Sequence, residues 1–122
     1  MTSIDLAYIT GFWEGEGTAF CGRYTASNKT RFGDKKWYQY RLTVAIAQKD
    51  KSPLLWIQRK LGYGNIYKNF NRKKGTGSYV LTFWSINARK FLRSILPLCK
   101  SKYKIWQIKR ALKRDKKYVK AR

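Results

Sequence analysis

The sequence predicts a single α+β domain, residues 1–122, with the element order αββαββαα. Segments with apolar residues at helical spacing, bounded by Ser, Asn, Gly or Pro, predict the helices. Segments that alternate apolar and polar residues, or extend beside turn residues, predict two pairs of strands. A chain of 122 residues suits one domain with a modest hydrophobic core.

The first element is a helix in the stretch Leu6 to Phe20, and it ends in a pair of acids. Ala7, Gly11 and Gly15 recur every four residues, so one face of the helix is a stripe almost without side chains. Each glycine costs a helix about 1 kcal/mol relative to alanine, and close approach of a second helix is the usual compensation. The apolar residues of another face are expected in the core: Leu6, Ile9 and Trp13.

Glu14 and Glu16 lie at the C-terminal end of this helix, and Gly17 suits the turn into a strand. Carboxylates at a helix C-terminus oppose the helix macrodipole. The chain has only 6 acidic residues against 28 Lys and Arg, so placing two of them here indicates that a cation is held at this end. Oxygen ligands of this kind suit Mg²⁺.

The second strand gives the clearest alternating pattern, over residues 38–47. One set is expected to face the core: Tyr38, Tyr40, Leu42, Val44 and Ile46. The other set is expected to face outward: Gln39, Arg41, Thr43, Ala45 and Ala47. The preceding strand, Thr18 to Tyr24, alternates less well because Arg23 falls at an inward position. The polar stretch Thr25 to Lys36, with Gly33-Asp34 as turn residues, is expected as the loop between the two strands.

Start, stop and turn residues predict the remaining elements. In chain order they are a helix capped by Ser52, with Pro53 at its first position, that Gly62 ends; strands Gly64 to Asn69 and Ser78 to Trp84; a helix from Asn87 to Leu96; and a helix from about Tyr103 to Tyr118.

The net charge of +22 points to a polyanionic partner, and nucleic acid is the first candidate. No apolar run approaches the ~18 residues of a membrane-spanning helix, and no basic stretch precedes the apolar part of the N-terminus, so neither a membrane partner nor secretion is expected. The chain has no His, and Cys21 and Cys99 are far apart, which excludes a zinc site of the usual Cys or His type and a His general base.

The segment Ile9 to Gly17, ITGFWEGEG, resembles the LAGLIDADG motif of homing endonucleases. The matching positions are the glycines and both acids: Gly11, Gly15, Gly17, Glu14 and Glu16. Thr10 and Trp13 depart from the letters of the motif, and both acids are Glu where the name has Asp, but no carboxylate is lost. The element order is also that of a single-motif member of this family. The resemblance implies the homing-endonuclease fold, in which a saddle-shaped antiparallel sheet of four strands packs on helices.

The resemblance also implies an active site. Glu16, at the eighth motif position, corresponds to the metal ligand of the family, with Gly15 beside it and Mg²⁺ as the metal. Gln48 matches a position that contacts active-site water or phosphate, and Lys102 matches the active-site lysine. Glu14 points roughly 200° away from Glu16 on a helix, so its expected role is hydrogen bonding near the helix end.

The implied function is site-specific, metal-dependent cleavage of long pseudo-palindromic double-stranded DNA by an intron-encoded homodimer inside the cell, at genomic or organellar DNA. The stripe of Ala7, Gly11 and Gly15 is expected to form the dimer interface. Cations that fall in the two predicted hairpin loops are expected to contact DNA: Lys29, Arg31, Arg72, Lys73 and Lys74. Strand parity and family position give the candidates for base contacts: Tyr24, Asn28, Gln39, Arg41, Thr43, Tyr67, Asn69 and Ser78.

Two alternatives stay open. Maturases share the resemblance, so the protein could instead assist splicing with intron RNA as its partner. A non-catalytic basic RNA-binding protein would use exposed aromatics such as Tyr24, Trp37, Tyr38 and Tyr67 to stack unpaired bases. Retention of Glu16, Gln48 and Lys102 favours the endonuclease.

Overall fold

A computed structural model describes residues 1–71 and 76–119 of the protein. The elements follow the predicted order: α1 Ser3–Glu16, β1 Gly17–Thr30, β2 Gly33–Gln48, α2 Lys51–Leu61, β3 Asn65–Asn71, β4 Thr76–Trp84, α3 Ser85–Ile95 and α4 Lys102–Tyr118. A short 3-10 turn, Leu96–Leu98, joins α3 to α4. The strands form one antiparallel sheet in the order β1-β2-β4-β3, which confirms the predicted fold class.

Helix α1 begins earlier than predicted, because Thr2 and Asp5 form a capping box. The backbone N–H of Asp5 donates to the Thr2 hydroxyl at 3.0 Å, and the N–H of Thr2 donates to the Asp5 carboxylate at 3.3 Å. The helix ends at Glu16 as expected. Gly17 then continues in an extended conformation that any residue adopts, but a β-carbon there would overlap the indole of Trp13. Space rather than backbone freedom requires this glycine.

The hairpin of β1 and β2 is longer than predicted. Pairing runs from Gly17 opposite Ile46 to Thr30 opposite Gly33, so most of the expected loop is strand and the turn is Arg31-Phe32. Gly33, with φ of 114°, follows this turn instead of forming it. In the part of the hairpin around residues 25–36, both faces of the strands are largely exposed to water. The sequence there is polar and does not alternate between apolar and polar residues, so it did not predict strands. Tyr38, expected in the core, is accordingly 67% exposed.

Two helix starts also differ from the prediction. Helix α2 is capped by Asp50, whose carboxylate accepts from the N–H of Ser52 at 2.9 Å, so Ser52 lies within the helix instead of capping it. Helix α3 begins at Ser85, before the predicted cap Asn87, and no side chain caps it. Gly62 ends α2 in the left-handed conformation, as expected of a C-terminal glycine.

The core lies between the helices and one face of the sheet, called here the inner face. From the strands it takes Leu42, Val44 and Ile46, which confirms that part of the predicted inward set. Fully buried partners come from every helix: Ile9, Trp13, Leu54, Ile57, Leu92, Ile95 and Ile108. None of the helices in the described part of the chain is long and apolar enough to cross a membrane.

Helix α4 covers the free edge of β1. Lys104 donates to the carbonyl of Gly17, Gln107 accepts from the N–H of Ala19 at 3.1 Å, and Arg114 donates to the carbonyl of Cys21 at 3.3 Å. Edge strands otherwise present unpaired backbone groups to other chains. A two-point ion pair between Arg89 and the buried Asp115, at 2.8 and 3.1 Å, ties α4 to α3.

Candidate nucleic-acid face and metal-binding helix end

The strand register places all predicted base-contact residues on one face of the sheet, opposite the helices, called here the outer face. Tyr24 lies opposite Gln39 across β1 and β2, and Asn69 lies opposite Ser78 across β3 and β4. The remaining candidates have the same parity on their strands: Asn28, Arg41, Thr43 and Tyr67. Strand parity therefore predicted correctly which side chains share a surface.

Their accessibility differs. Tyr67, Gln39 and Arg41 are exposed, whereas Thr43 is only 8% exposed. Thr43 lies between two cross-strand aromatic neighbours, Phe20 on β1 and Trp84 on β4. A ligand on the outer face therefore reaches little of Thr43.

Phe20 and Trp84 are outer-face residues that the sequence interpretation missed. Both have the same parity as the base-contact candidates, so the register between strands would have revealed them. Trp84 also contacts Arg41, whose guanidinium carbon lies 4.9 Å from its ring centre and 5.0 Å from that of Tyr24. The Tyr24 hydroxyl donates to the side-chain carbonyl of Gln39 at 2.6 Å. These four residues, Tyr24, Gln39, Arg41 and Trp84, form an outer-face cluster.

The predicted loop cations have different settings. Arg31 lies in the β1–β2 turn as expected. Lys29 instead belongs to β1, where the strand register places it opposite Asp34 of β2. Both side chains are exposed at the far end of the hairpin. The other predicted cations, Arg72, Lys73 and Lys74, lie outside the described residues.

At the end of α1 the two acids have separate settings. The Glu14 carboxylate accepts from the backbone N–H groups of Lys100 and Ser101, at 2.9 and 2.6 Å, just before α4 begins. A negative charge is favourable there, because the N-terminal end of a helix carries partial positive charge. The predicted hydrogen-bonding role of Glu14 is confirmed. Glu14 therefore needs no cation to balance its charge. Of the two acids from which a bound cation was inferred, only Glu16 still supports that inference.

Glu16 is exposed and makes no hydrogen bond or ion pair within the described residues. The carbonyl of Gly15 is among the last four of α1 and has no partner within the helix. These two oxygen donors fit Mg²⁺, which binds through few carboxylates and keeps water or phosphate ligands. No group of three acids or cysteines occurs in residues 1–71 and 76–119, so a metal here needs further ligands from water, phosphate or a second protomer.

Gln48 and Lys102 form no hydrogen bond or ion pair with Glu16 among the described residues. Gln48 ends β2 and is half-buried, and its side-chain carbonyl accepts from the N–H of Lys49 at 2.8 Å. Lys102 is the exposed first residue of α4. The lysine that contacts the end of α1 is instead Lys104, whose amino group bonds to Gly17 and lies 5.2 Å from the Trp13 ring centre. Helical spacing alone could not reveal this contact, because it depends on how α4 packs against β1.

The stripe of Ala7, Gly11 and Gly15 is exposed. A β-carbon added at Gly11 or Gly15 would have no neighbour within 4 Å. Two apolar side chains beside the stripe are also exposed, Ile4 at 80% and Tyr8 at 52%. The described fold thus leaves Gly11 and Gly15 of the stripe without a neighbour, and dimerisation through the stripe stays a prediction.

Comparisons with known proteins identify the family. The model of the LAGLIDADG endonuclease family matches residues 9–112, and the chain therefore belongs to that family. A relative, the intron-encoded DNA endonuclease ai2b of Dictyostelium discoideum, is 34% identical over 83 residues, which are 68% of this chain and 28% of the relative. The chain thus spans less than a third of that relative's length.

Solved structures support the fold. The homing endonuclease I-CvuI, bound to the I-CreI target with magnesium and with the DNA not cleaved, has a TM-score of 0.70 at 22% identity and covers 93% of this chain and 67% of its own. I-CvuI with its own target and calcium gives a TM-score of 0.68 at 22% identity, with 96% and 69% covered. The homing endonuclease I-TnaI gives 0.55 at 20% identity, with 92% and 74% covered.

Proposed function

We propose that this protein is a homodimeric homing endonuclease that cleaves a long pseudo-palindromic DNA site by metal-dependent hydrolysis. The observation that carries the proposal is the setting of Glu16. It is an exposed carboxylate at the end of an exposed small-residue stripe, and the described fold gives it no partner. The relative from Dictyostelium is named a DNA endonuclease, and the I-CvuI structures contain target DNA with magnesium or calcium.

The dimer follows from the stripe. Two copies of α1 packed stripe to stripe about a two-fold axis would cover Ala7, Gly11 and Gly15 and bring both Glu16 side chains together. Each carboxylate then serves one strand of the duplex. The two outer faces would lie side by side, and their strands, of 14 and 16 residues for β1 and β2, are long enough to follow the groove.

The residues of each protomer have distinct tasks in this reaction. Glu16 and the carbonyl of Gly15 would hold Mg²⁺, which would lower the pKa of a bound water and offset charge at the leaving 3′ oxygen. Gln48 keeps its amide N–H groups free to orient a water, because its carbonyl already accepts from Lys49. Lys102 offsets negative charge at the phosphate. Lys104 fixes the end of α1 through Gly17.

Binding to intron RNA is the second candidate. Phe32 at the hairpin tip is 95% exposed, and Tyr38 and Tyr67 are also exposed, so unpaired bases could stack on them. This candidate requires no use of Glu16.

A cleavage selection distinguishes the two candidates. Purified protein is incubated with a random or genomic duplex DNA library, with Mg²⁺ or with a chelator, and the cut ends are sequenced. We expect cuts with Mg²⁺ only, at pseudo-palindromic sites of about 20 base pairs, the span of two half-sites one helical turn apart. Tight binding to intron RNA without any DNA cleavage would favour the maturase or RNA-binding function instead.

A further inference from the structure

The outer-face cluster holds a cation between two aromatic rings. Arg41 lies about equally close to Tyr24 and Trp84, at 5.0 and 4.9 Å from their ring centres, which is within the range of cation–π attraction. The side chain is nevertheless exposed, and its guanidinium makes no hydrogen bond or ion pair with the described residues. The rings therefore restrain the guanidinium while its N–H donors stay free for a ligand.

The backbone makes room for this arrangement. Gly22 lies directly opposite Arg41 on β1, so this position of the outer face has no side chain of its own, and the ring of Phe20 lies 3.2 Å from where a β-carbon would stand. On the other side β4 ends at Trp84, which pairs with Thr43, and the chain leaves the sheet at Ser85. Ser85 has φ of 56°, an uncommon value for a residue other than glycine. This sharp departure leaves the Trp84 ring as the neighbour of Arg41 at the end of the sheet.

Gln39, like Arg41, offers hydrogen-bond donors to a ligand on the outer face. Because the Tyr24 hydroxyl donates to its carbonyl at 2.6 Å, the side chain of Gln39 has its N–H groups left to donate to a ligand. Reading adenine in the major groove needs one donor and one acceptor from such an amide, whereas guanine presents two acceptors, N7 and O6. Gln39 and Arg41 thus both favour acceptors, and the planar fork of arginine matches guanine with two parallel bonds.

We propose that Arg41 specifies a guanine in each half-site of the DNA target, with Tyr24 and Trp84 as positioning residues that hold its guanidinium in the reading geometry. The proposal rests on the proposed function only in that the outer face must contact duplex DNA. It does not depend on cleavage.

The experiment is a binding selection from a random duplex library, with a chelator to prevent metal-dependent cleavage, followed by sequencing. For the wild-type protein we expect one position in each half-site with a guanine preference of about tenfold or more, the range of a good two-bond contact. Arg41→Lys keeps the charge but loses the fork, so this preference should fall to less than threefold while other positions keep theirs. Trp84→Leu and Tyr24→Leu should lower the guanine preference at the same position. Trp84→Phe, which keeps an aromatic ring, should retain much of that preference.

The matched control is Trp106→Leu. Trp106, on α4, is not a member of the outer-face cluster; it is 52% exposed, and the guanidinium carbon of Arg110 lies 5.3 Å from its ring centre. This variant should leave the guanine preference unchanged. Thermal unfolding of each variant identifies a loss that comes from misfolding, and Trp84→Phe keeps the test decisive if Trp84→Leu does not fold.

Three results would overturn the inference. The first is that the selected wild-type site has no guanine position that depends on Arg41. The second is that both Trp84→Leu and Tyr24→Leu keep the full guanine preference. The third, no enriched duplex at all, would remove the proposed function as well. A guanine position that depends on the cluster, in a protein that fails to cleave with Mg²⁺, would instead support the inference and reject only the endonuclease function.

Discussion

The two sides of α1 have opposite relations to the rest of the chain. On the buried side, Ile9 and Trp13 are fully enclosed, and Glu14 bonds to two backbone N–H groups at the start of α4. On the exposed side, Gly11 has no neighbour for an added β-carbon, and Glu16 has no partner in the described chain. Both sides contain residues that are costly for a helix. The fold compensates those of the buried side, so those of the exposed side indicate function.

The largest expected effect separates the two acids. Glu16→Gln should abolish Mg²⁺-dependent cleavage, because the amide is a poor metal ligand, while DNA affinity without metal stays equal or rises as repulsion of phosphate is removed. Stability should stay equal or rise slightly, since the side chain is exposed and without a partner and its charge opposes the helix macrodipole. Cleavage of a selected site and a gel-based binding assay measure the two quantities.

Glu14→Gln is the matched control at the same helix end. It keeps the shape but weakens two charge-assisted hydrogen bonds, so the free energy of unfolding should fall by about 1–3 kcal/mol, with a smaller loss of cleavage. Wild-type cleavage by Glu16→Gln would show that the assignment of Glu16 as the essential metal ligand is wrong. Equal loss of cleavage in both variants would remove the distinction between the two sides.

The next largest effects are expected from substitutions of two glycines, Gly11 on the exposed side of α1 and Gly17 beside Trp13. Gly11→Val enters open space in one protomer, so the fold should persist, but the added side chain would separate two packed helices and the dimer should dissociate. Gly17→Ala should instead destabilise each protomer by about 1–3 kcal/mol, because its β-carbon overlaps the Trp13 indole. Sedimentation measures the oligomeric state and thermal unfolding measures the stability. A wild-type protein that is monomeric at micromolar concentration would contradict the interface.

The same contrast explains how far the sequence could be interpreted. Element order was predictable, because helical spacing, strand alternation and glycine stops are local signals. The length of the β1–β2 hairpin was not, since residues with both faces in water carry no alternation. The start of α3 at Ser85 was missed because no side chain caps it.

For the candidate site, the limit is contact between distant segments. Glu14 meets Lys100 and Ser101, 86 and 87 residues away, and Lys104 meets Gly17 at a similar separation, so no local pattern contains these partners. Strand parity did place the base-contact candidates on one face, but the partners of Arg41 required the register of three strands. The assignments of Gln48 and Lys102 rest on family resemblance, and they remain predictions.

The smallest expected effect concerns Cys99, on the buried side beside Glu14. Burial, and after it the negative charge of Glu14, raise the pKa of this thiol to about 11 from an ordinary value near 9.0. Cys99 should therefore stay protonated and react slowly with thiol reagents at pH 8, because the thiolate is the reactive form. Glu14→Gln removes the second cause, so the pKa should fall and labelling at pH 9 should become faster, whereas Glu16→Gln should leave the rate unchanged. Mass spectrometry of the labelled native protein, with Cys21 resolved as a separate peptide, measures both rates. Equal acceleration in the two variants would mean that Glu16 also acts on the buried side of α1, contrary to the contacts that separate the two acids.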